Sequence, residues 1–285
     1  MIILNGKEFS TKFRNGLAEK VNKLKSEYGV TPGLAVVLIG NDPASEIYVR
    51  NKIKACDSVG VNSFTVRFEE TATQQEVEQA VKELASRSDV DGLFVQMPIP
   101  KKFDTDAILK HIPAEKDVDG LCAENLGKLL IGQKCLVSCT PNGIIELLKG
   151  YDISLEGKHA VVLGRSNMVG KPVSALLQKE NCTVTMCHSK TVDVKKYLLQ
   201  ADIIVAAIGK ANYVTEDMVK EGVIVVDVGI NRVDGKIYGD VDFENVKNKA
   251  SHITPVPGGV GPMTVTMLLH NTVLACARHR GINEL

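Results

Sequence analysis

Short, continuous apolar runs alternate with amphipathic stretches along most of this chain, and that alternation limits the fold more than any other feature. Leu34–Ile39 (LAVVLI), Ser63–Phe68 and Gly92–Val95 have strand length, as do His159–Leu163, Thr183–Met186, Ile203–Ala207 and Val223–Val228. Helical patterns lie between them. Phe9–Tyr28 carries Leu17, Val21 and Leu24 at helical spacing, and Asp42-Pro43 opens a helix that Gly60 stops. Gln74–Arg87 places Val77, Ala80, Val81 and Leu84 on one face, Asp104–His111 follows, and further helices start near Lys171, Asp193 and Thr215. Strands without polar alternation are buried on both faces, and strands separated by helices pair in parallel. Pro113–Thr140 reads as irregular and Pro141–Leu148 as a helix capped by Thr140. Thr254–Thr264 (TPVPGGVGPMT) is too rich in Gly and Pro for a helix or inner strand, and Val265–Arg278 reads as a closing helix.

The expected fold is α/β: two α/β domains joined near Ser138–Gly150, the second a Rossmann-like parallel sheet, with a cleft between them. The domains are expected to span 1–138 plus 265–285, and 139–264. In such sheets ligands bind beyond the carboxyl ends of the strands. Lys158–Pro172 (KHAVVLGRSNMVGKP) marks one such end, with a strand, a turn punctuated by Gly164 and Gly170, and a helix start. Free backbone N–H groups and the helix dipole make that arrangement an anion site, and a dinucleotide pyrophosphate is its natural tenant. The glycines do not spell G-x-G-x-x-G, so the turn also fits a plain βα connection.

Composition excludes several classes. The 285 residues contain 34 Lys plus Arg and 34 Asp plus Glu, which argues against non-specific nucleic-acid or membrane-surface binding. Seven cysteines in no framework spacing suit reduced thiols in a cytoplasmic protein. The apolar start of MIILNGKEFS is too short for a signal peptide, and the other apolar runs are far too short to span a membrane. No metal is expected. Cys135, Cys139, Cys182 and Cys187-His188 match no zinc spacing, and Asp117-Val118-Asp119-Gly120 lacks the remaining ligands of a calcium loop. There is no G-x-S-x-G elbow and no Walker A pattern.

The strand after the glycine turn ends in Cys187-His188-Ser189-Lys190, where an NAD site would carry an acid. Ser189, Lys190 and Arg165 could instead hold a 2′-phosphate, which favours NADP, although the two cations also fit a solvated surface. Tyr48 and Lys52 lie four apart and share a helix face next to a strand end. A lysine there can donate or accept a proton when desolvation lowers its pKa, or can be one more solvated lysine beside Arg50 and Lys54. Gln96 directly follows a strand, in a loop stiffened by Pro98 and Pro100. A carboxylate of the Asp117–Gly120 turn can accept two hydrogen bonds from an amidine-like edge.

Together these stretches closely resemble the bifunctional methylenetetrahydrofolate dehydrogenase/methenyltetrahydrofolate cyclohydrolase family. The resemblance is carried by DPASEIYVRNKIKAC (42–56), VQMPIP (95–100), PAEKDVDG (113–120), CTPNG (139–143), GRSNMVGKP (164–172), CHSKT (187–191), VDVGIN (226–231), GDVDF (239–243) and TPVPGGVGPMT (254–264), in order over nearly the whole chain. It implies a catalytic folate domain from the first half with the closing helix, an NADP-binding second half, tetrahydrofolate derivatives as substrates and a homodimer. Lys52 would be the general acid/base of the cyclohydrolase step, tuned by Gln96, and Tyr48 would pack on the folate rings. Asp119 would read the pterin edge, and Gly258 and Gly259 would approach the substrate. Gly164, Arg165, Ser166, Ser189 and Ile230 would form the cofactor site. The chain departs from the pattern at Lys128, where arginine is usual, at Ser138, where proline is usual, and at Cys122-Ala123, where His-Pro is common. An NADP dehydrogenase of another small substrate and a non-catalytic nucleotide-binding regulator are the rival readings.

Overall fold

The computed structural model describes residues 1–282. In chain order its first elements are β1 (Ile2–Ile3), α1 (Gly6–Tyr28), β2 (Gly33–Ile39), α2 (Pro43–Val59), β3 (Asn62–Phe68), α3 (Gln74–Ser86) and β4 (Gly92–Val95). Three helices follow, α4 (Thr105–Leu109), α5 (Ala123–Leu130) and α6 (Cys139–Gly150). The second series is β5 (His159–Leu163), α7 (Gly170–Lys179), β6 (Thr183–Cys187), α8 (Val194–Leu198), β7 (Ile203–Ala206) and β8 (Ile224–Asp227). It ends with the hairpin β9 (Asn231–Val233) and β10 (Lys236–Tyr238), then α9 (Phe243–Val246), β11 (His252–Ile253) and α10 (Val260–His279).

The chain divides into two compact α/β units. One comprises Lys12–Lys128, Lys134–Cys139 and the chain from Val265 onward. Its sheet has the order β3-β2-β4, all parallel, with Val36 paired to both Thr65 and Phe94. Ala35, Val37, Ile39, Leu93 and Val95 pack against Val77, Val81 and Leu84 of α3. Helices α2 and α3 of this unit begin on side-chain caps. Asp42 accepts from the Ser45 amide at 2.7 Å, with Pro43 at the first helical position, and Thr73 and Glu76 form a capping box before α3.

The other unit comprises Met1–Thr11, Leu129–Gln133 and Thr140–Thr264. Its sheet is six-stranded and parallel, ordered β1-β11-β8-β7-β5-β6. The order reverses at β5, flanked by β6 and β7, so the crevice expected for a nucleotide opens at the end of β5. This division differs from the expected one at Met1–Thr11 and at Leu129–Gln133, both of which group with the six-stranded unit. Ile2 and Ile3 pair with His252 and Ile253, which brings the first residues into the six-stranded sheet.

Several elements depart from the sequence expectation. Thr254–Thr264 is not free of helix, because α10 begins at Val260. Pro262 lies in the first turn, where its missing N–H costs no helical bond. Pro113–Thr140 contains α5, and the helix expected near Thr215 is only a single 3-10 turn, Glu216–Met218. Asp104–His111 shortens to α4, with Asp104 as its cap. Thr140 lies inside α6 rather than capping it, and its hydroxyl pairs with that of Thr264 at 2.9 Å. By length and composition α10 could cross a membrane, but 67% of its apolar window is buried within the protein, as in a core helix.

Candidate active site

Lys52 is the centre of the three-stranded unit's site. Successive side chains of β4 point to opposite faces. Leu93 and Val95 enter the core beside α3, so Phe94 and Gln96 share the other face. Lys52 meets both of them there. Its Nζ donates to Gln96 Oε1 at 3.1 Å and lies 3.9 Å from the centroid of the Phe94 ring. Gln96 is 7% exposed. Its backbone amide continues the ladder to the Val37 carbonyl at 2.8 Å, and its Nε2 donates to the Met97 carbonyl at 2.7 Å. That second bond fixes the amide so that its oxygen faces the ammonium, the only arrangement a donor-only group accepts. Tyr48, one turn before Lys52, is 44% exposed. One turn earlier on the same helix face, the Ser45 hydroxyl is buried without a hydrogen-bond partner.

Asp119 belongs to the same unit and is carried on a tightly clamped loop. The Asp117 carboxylate accepts from the amides of Gly120 (3.2 Å) and Cys122 (2.8 Å) and from Asn125 Nδ2 (3.1 Å). From the other side, Ser138 Oγ donates to the Gly120 carbonyl at 2.8 Å and the Cys139 thiol to the Val118 carbonyl at 3.2 Å. Asn271 of α10 donates to the carbonyls of Val118 and Val137, each at 2.8 Å. Gly120 has a φ of 67°, and a Cβ there would lie 2.5 Å from the Val137 carbonyl carbon, so only glycine fits. Burial pushes the Asp119 pKa up and the neighbouring Asp117 adds to this, while the positive charge of Lys52 opposes it. Asp119 and Lys52 thus act on each other electrostatically. The Cys139 thiol is pushed well above its ordinary range, chiefly by burial, and stays protonated.

The three departures all have local partners. Ser138 makes the Gly120 bond that proline could not make. Cys122 Sγ accepts from the Asn125 amide at 3.4 Å, at the start of α5. Lys128 pairs with Glu124 one turn away at 2.5 Å.

In the six-stranded unit, Gly164 has a φ of 116°, and an added Cβ would lie 2.2 Å from the Ala207 carbonyl oxygen. At Gly170 an added Cβ would lie 2.2 Å from the Gly164 oxygen. The turn therefore requires both glycines. Ser166 Oγ accepts from the amides of Val169 (3.1 Å) and Gly170 (3.4 Å), closing the loop onto the start of α7. A cavity of about 290 Å³ opens beside it, lined by Gly164, Arg165, Ser166, Ser189, Lys210 and Tyr213 among others. Lys190 is not among the lining residues; Lys210, from the end of β7, supplies the second cation. His188 and Ser189 are held by a tight turn in which the His188 amide donates to Thr191 Oγ1 at 2.9 Å and the Lys190 amide to His188 Nδ1 at 3.2 Å. Ile230, 54% exposed, follows β8 and is not among the cavity's lining residues.

Two buried carboxylates shape the strand-end loops of this unit. Asp240 is fully buried and accepts from the amides of Ile208 (2.6 Å), Gly209 (3.0 Å) and Lys210 (2.9 Å) and from Asn231 Nδ2 (2.9 Å). Asp227 accepts from the amides of Gly229, Asp240 and Val241, each at 2.9 Å. Burial raises its pKa to about 6 against the pull of those three bonds. The Gly258–Gly259 loop also lies in this unit. Gly258 has a φ of 107°, its carbonyl accepts from the Lys7 amide at 2.9 Å, and a Cβ at Gly259 would lie 2.6 Å from the Pro255 oxygen.

The lining residues suit an NADP adenosine end. Arg165, Lys210 and the Ser189 hydroxyl can hold a phosphate, and the cavity lining contains no carboxylate to repel one. Sequence reasoning missed Phe94, Lys210, Asn271 and the Asp227–Asp240 pair. Strand alternation alone would have placed Phe94 beside Gln96. No spacing rule would have brought Asp240 to the loop after β7.

Residues 4–119 match the family model for the tetrahydrofolate dehydrogenase/cyclohydrolase catalytic domain, and residues 138–280 match that for its NAD(P)-binding domain. The bifunctional protein FolD of Bacillus licheniformis is 51% identical over 277 residues, 97% of each chain. Among solved structures, the bifunctional FolD methylenetetrahydrofolate dehydrogenase/cyclohydrolase of Campylobacter jejuni has a TM-score of 0.95 at 48% identity, over 98% of this chain and 99% of that one. The Trypanosoma brucei N5,N10-methylenetetrahydrofolate dehydrogenase-cyclohydrolase, complexed with NADP cofactor and inhibitor, has a TM-score of 0.93 at 36% identity over 98% of each chain. With both of its domain models matched in order and relatives near half identity along its whole length, the chain belongs to the tetrahydrofolate dehydrogenase/cyclohydrolase family.

Proposed function

We propose that this chain oxidises methylenetetrahydrofolate to methenyltetrahydrofolate with NADP and then hydrolyses the product to 10-formyltetrahydrofolate, with Lys52 as the proton-transferring group of the second step. The observation that carries this reading is the ammonium of Lys52, held at 3.1 Å by the fixed oxygen of Gln96 and within the electrostatic reach of Asp119.

The division of labour follows from the chemistry. NADP supplies the hydride acceptor when bound, so for oxidation the protein need mainly align donor and acceptor. Tyr48 packs on the folate rings, the Asp119 carboxylate accepts two hydrogen bonds from the amidine-like pterin edge, and Gly258 and Gly259 allow close backbone approach to the substrate. Hydrolysis needs proton transfer. Water adds to the cationic bridging carbon while Lys52 as the amine takes one of its protons; as the ammonium it returns that proton to the ring nitrogen as the C–N bond breaks, and the remaining hydroxyl proton goes to solvent as the formyl C=O forms. Gln96 keeps Nζ in place through this cycle. Gly164, Arg165, Ser166, Ser189 and Ile230 form the cofactor site. The folate domain comprises 1–138 plus 265–285 and the NADP domain 139–264, apart from the N-terminal strand that pairs in the second sheet. All seven cysteines are free thiols, which supports a cytoplasmic setting. The family resemblance supports a homodimer, and gel filtration checks it.

Purified protein is expected to reduce NADP with methylenetetrahydrofolate; reduction only with a hydroxy acid would favour the rival dehydrogenase. Arg165→Ala should weaken NADP by about tenfold to a hundredfold, the worth of a charge-assisted contact, and leave NAD nearly unchanged. Equilibrium titration with each nucleotide checks this. For Asp119 the sign runs toward acid sensitivity. Its raised pKa means that it protonates at a pH where exposed carboxylates are still ionised. The pterin edge donates to the ionised form, so KM for folate should rise as pH falls through that pKa, and Asp119→Asn should remove this limb of the KM–pH profile.

A further inference from the structure

We infer that Phe94 is a positioning residue for hydrolysis, its ring face holding the Lys52 ammonium against the Gln96 oxygen. The inference rests on the proposed role of Lys52. A cation within about 6 Å of an aromatic centroid, over the ring face, is attracted by the ring quadrupole. Lys52 Nζ is 3.9 Å from the Phe94 centroid, well inside that limit.

The ring is a fixed platform rather than a chance neighbour. Phe94 is 2% exposed. Its strand pairs on one side with β2, where Phe94 stands opposite Val36. On the other side the Leu93 amide donates to the Lys116 carbonyl at 2.8 Å, and Leu93 bridges to Asp117. The backbone beneath the ring is therefore locked between the central strand and the segment that leads to Asp119. Because Phe94 and Gln96 alternate onto one face of that strand, both contacts to Lys52 come from one rigid element.

The donor count agrees. An ammonium has three N–H groups and no acceptor. Gln96 Oε1 takes one and the ring face takes the direction of a second, which leaves one to donate to the ring nitrogen that leaves. Without the ring, a flexible four-carbon chain would hang from a single hydrogen bond to a neutral acceptor. Hydride transfer requires nothing of this arrangement, so Phe94 should govern the ratio of hydrolysis to oxidation rather than both activities.

The test replaces Phe94 in the full chain with phenylalanines of increasing fluorination, which drains the ring face of negative potential at almost constant shape. Methenyl hydrolysis is expected to fall stepwise, by about tenfold at five fluorines, while the dehydrogenase rate stays within about twofold. A merely structural role would lower both rates together and shift the melting temperature. Lys52→Met is run beside the series. If hydrolysis is flat across the series while Lys52→Met abolishes it, the role of Phe94 is overturned and that of Lys52 stands. If Lys52→Met hydrolyses at the parent rate, the lysine reading falls and takes this inference with it. Should the pentafluoro protein misfold, the mono- and difluoro members still give the slope.

Discussion

Lys52→Met is expected to reduce the turnover of methenyl hydrolysis by about a thousandfold, the usual worth of a positioned general acid and base, and to leave NADP reduction measurable. The substitution keeps an unbranched side chain one atom shorter while removing the proton-carrying nitrogen and its contact with the Phe94 ring. It leaves the Gln96 oxygen without its donor, a loss of about 1–3 kcal/mol, while Gln96 Nε2 keeps its bond to the Met97 carbonyl. The variant should still fold, with a melting temperature lower by a few degrees. One secondary effect must be separated from the first. Lys52 opposes the upward pull on the Asp119 pKa, so its loss raises that pKa further and weakens pterin binding. The folate KM should rise in both reactions, whereas turnover should collapse only in hydrolysis. Rates at saturating substrate, followed by the decay of the methenyl absorbance, separate the two. A variant that hydrolyses at the parent turnover would remove Lys52 from the chemistry.

Asp240→Ala should have the largest effect outside the lysine site. Four N–H donors converge on this fully buried carboxylate, from Ile208, Gly209, Lys210 and Asn231. Each donor left unpaired costs about 1–3 kcal/mol when it stays buried. The exposed loop at Gly209 and Lys210 can turn to solvent, so we expect a net loss of about 3–5 kcal/mol. Ile208 and Lys210 also line the nucleotide cavity, and NADP affinity should fall with stability. Asp240→Asn keeps the shape but sets an NH₂ against donors, and should lie between the two. Urea unfolding and calorimetric NADP titration measure both consequences. Unchanged NADP affinity in a destabilised Asp240→Ala protein would mean that the loop after β7 does not shape the cofactor site.

The α/β architecture was legible because β2, β4, β5, β7 and β8 are continuous apolar runs, a signal that depends only on burial from both sides. The Asp42 cap was legible for a local reason too: it acts on an amide three residues away. What failed was non-local or weakly apolar. The pairing of Ile2-Ile3 with His252-Ile253 joins chain ends some 250 residues apart, and no window contains it. The start of α10 was misplaced because Gly261 and Pro262 look like breakers, yet proline is tolerated in a first helical turn. At the site, Tyr48, Lys52 and Gln96 could be named as candidates from strand ends and helix spacing, but spacing could not separate a catalytic lysine from a solvated one. The structure adds its contacts with Gln96 and Phe94, and Lys52→Met tests whether it is catalytic. Lys190 was a reasonable choice as second cation because it follows Ser189 in sequence; the cavity instead takes Lys210, from a different strand end.

One chain is expected both to oxidise methylenetetrahydrofolate with NADP and to hydrolyse the product, and one absorbance time course of the purified protein with methylenetetrahydrofolate, run in parallel with NADP and with NAD, reads both steps. NADPH formation should outpace the reaction with NAD and be followed by conversion of the methenyl intermediate to 10-formyltetrahydrofolate. No reduction of NADP, or NADPH formation in which methenyltetrahydrofolate accumulates in full and decays no faster than without enzyme, would contradict it.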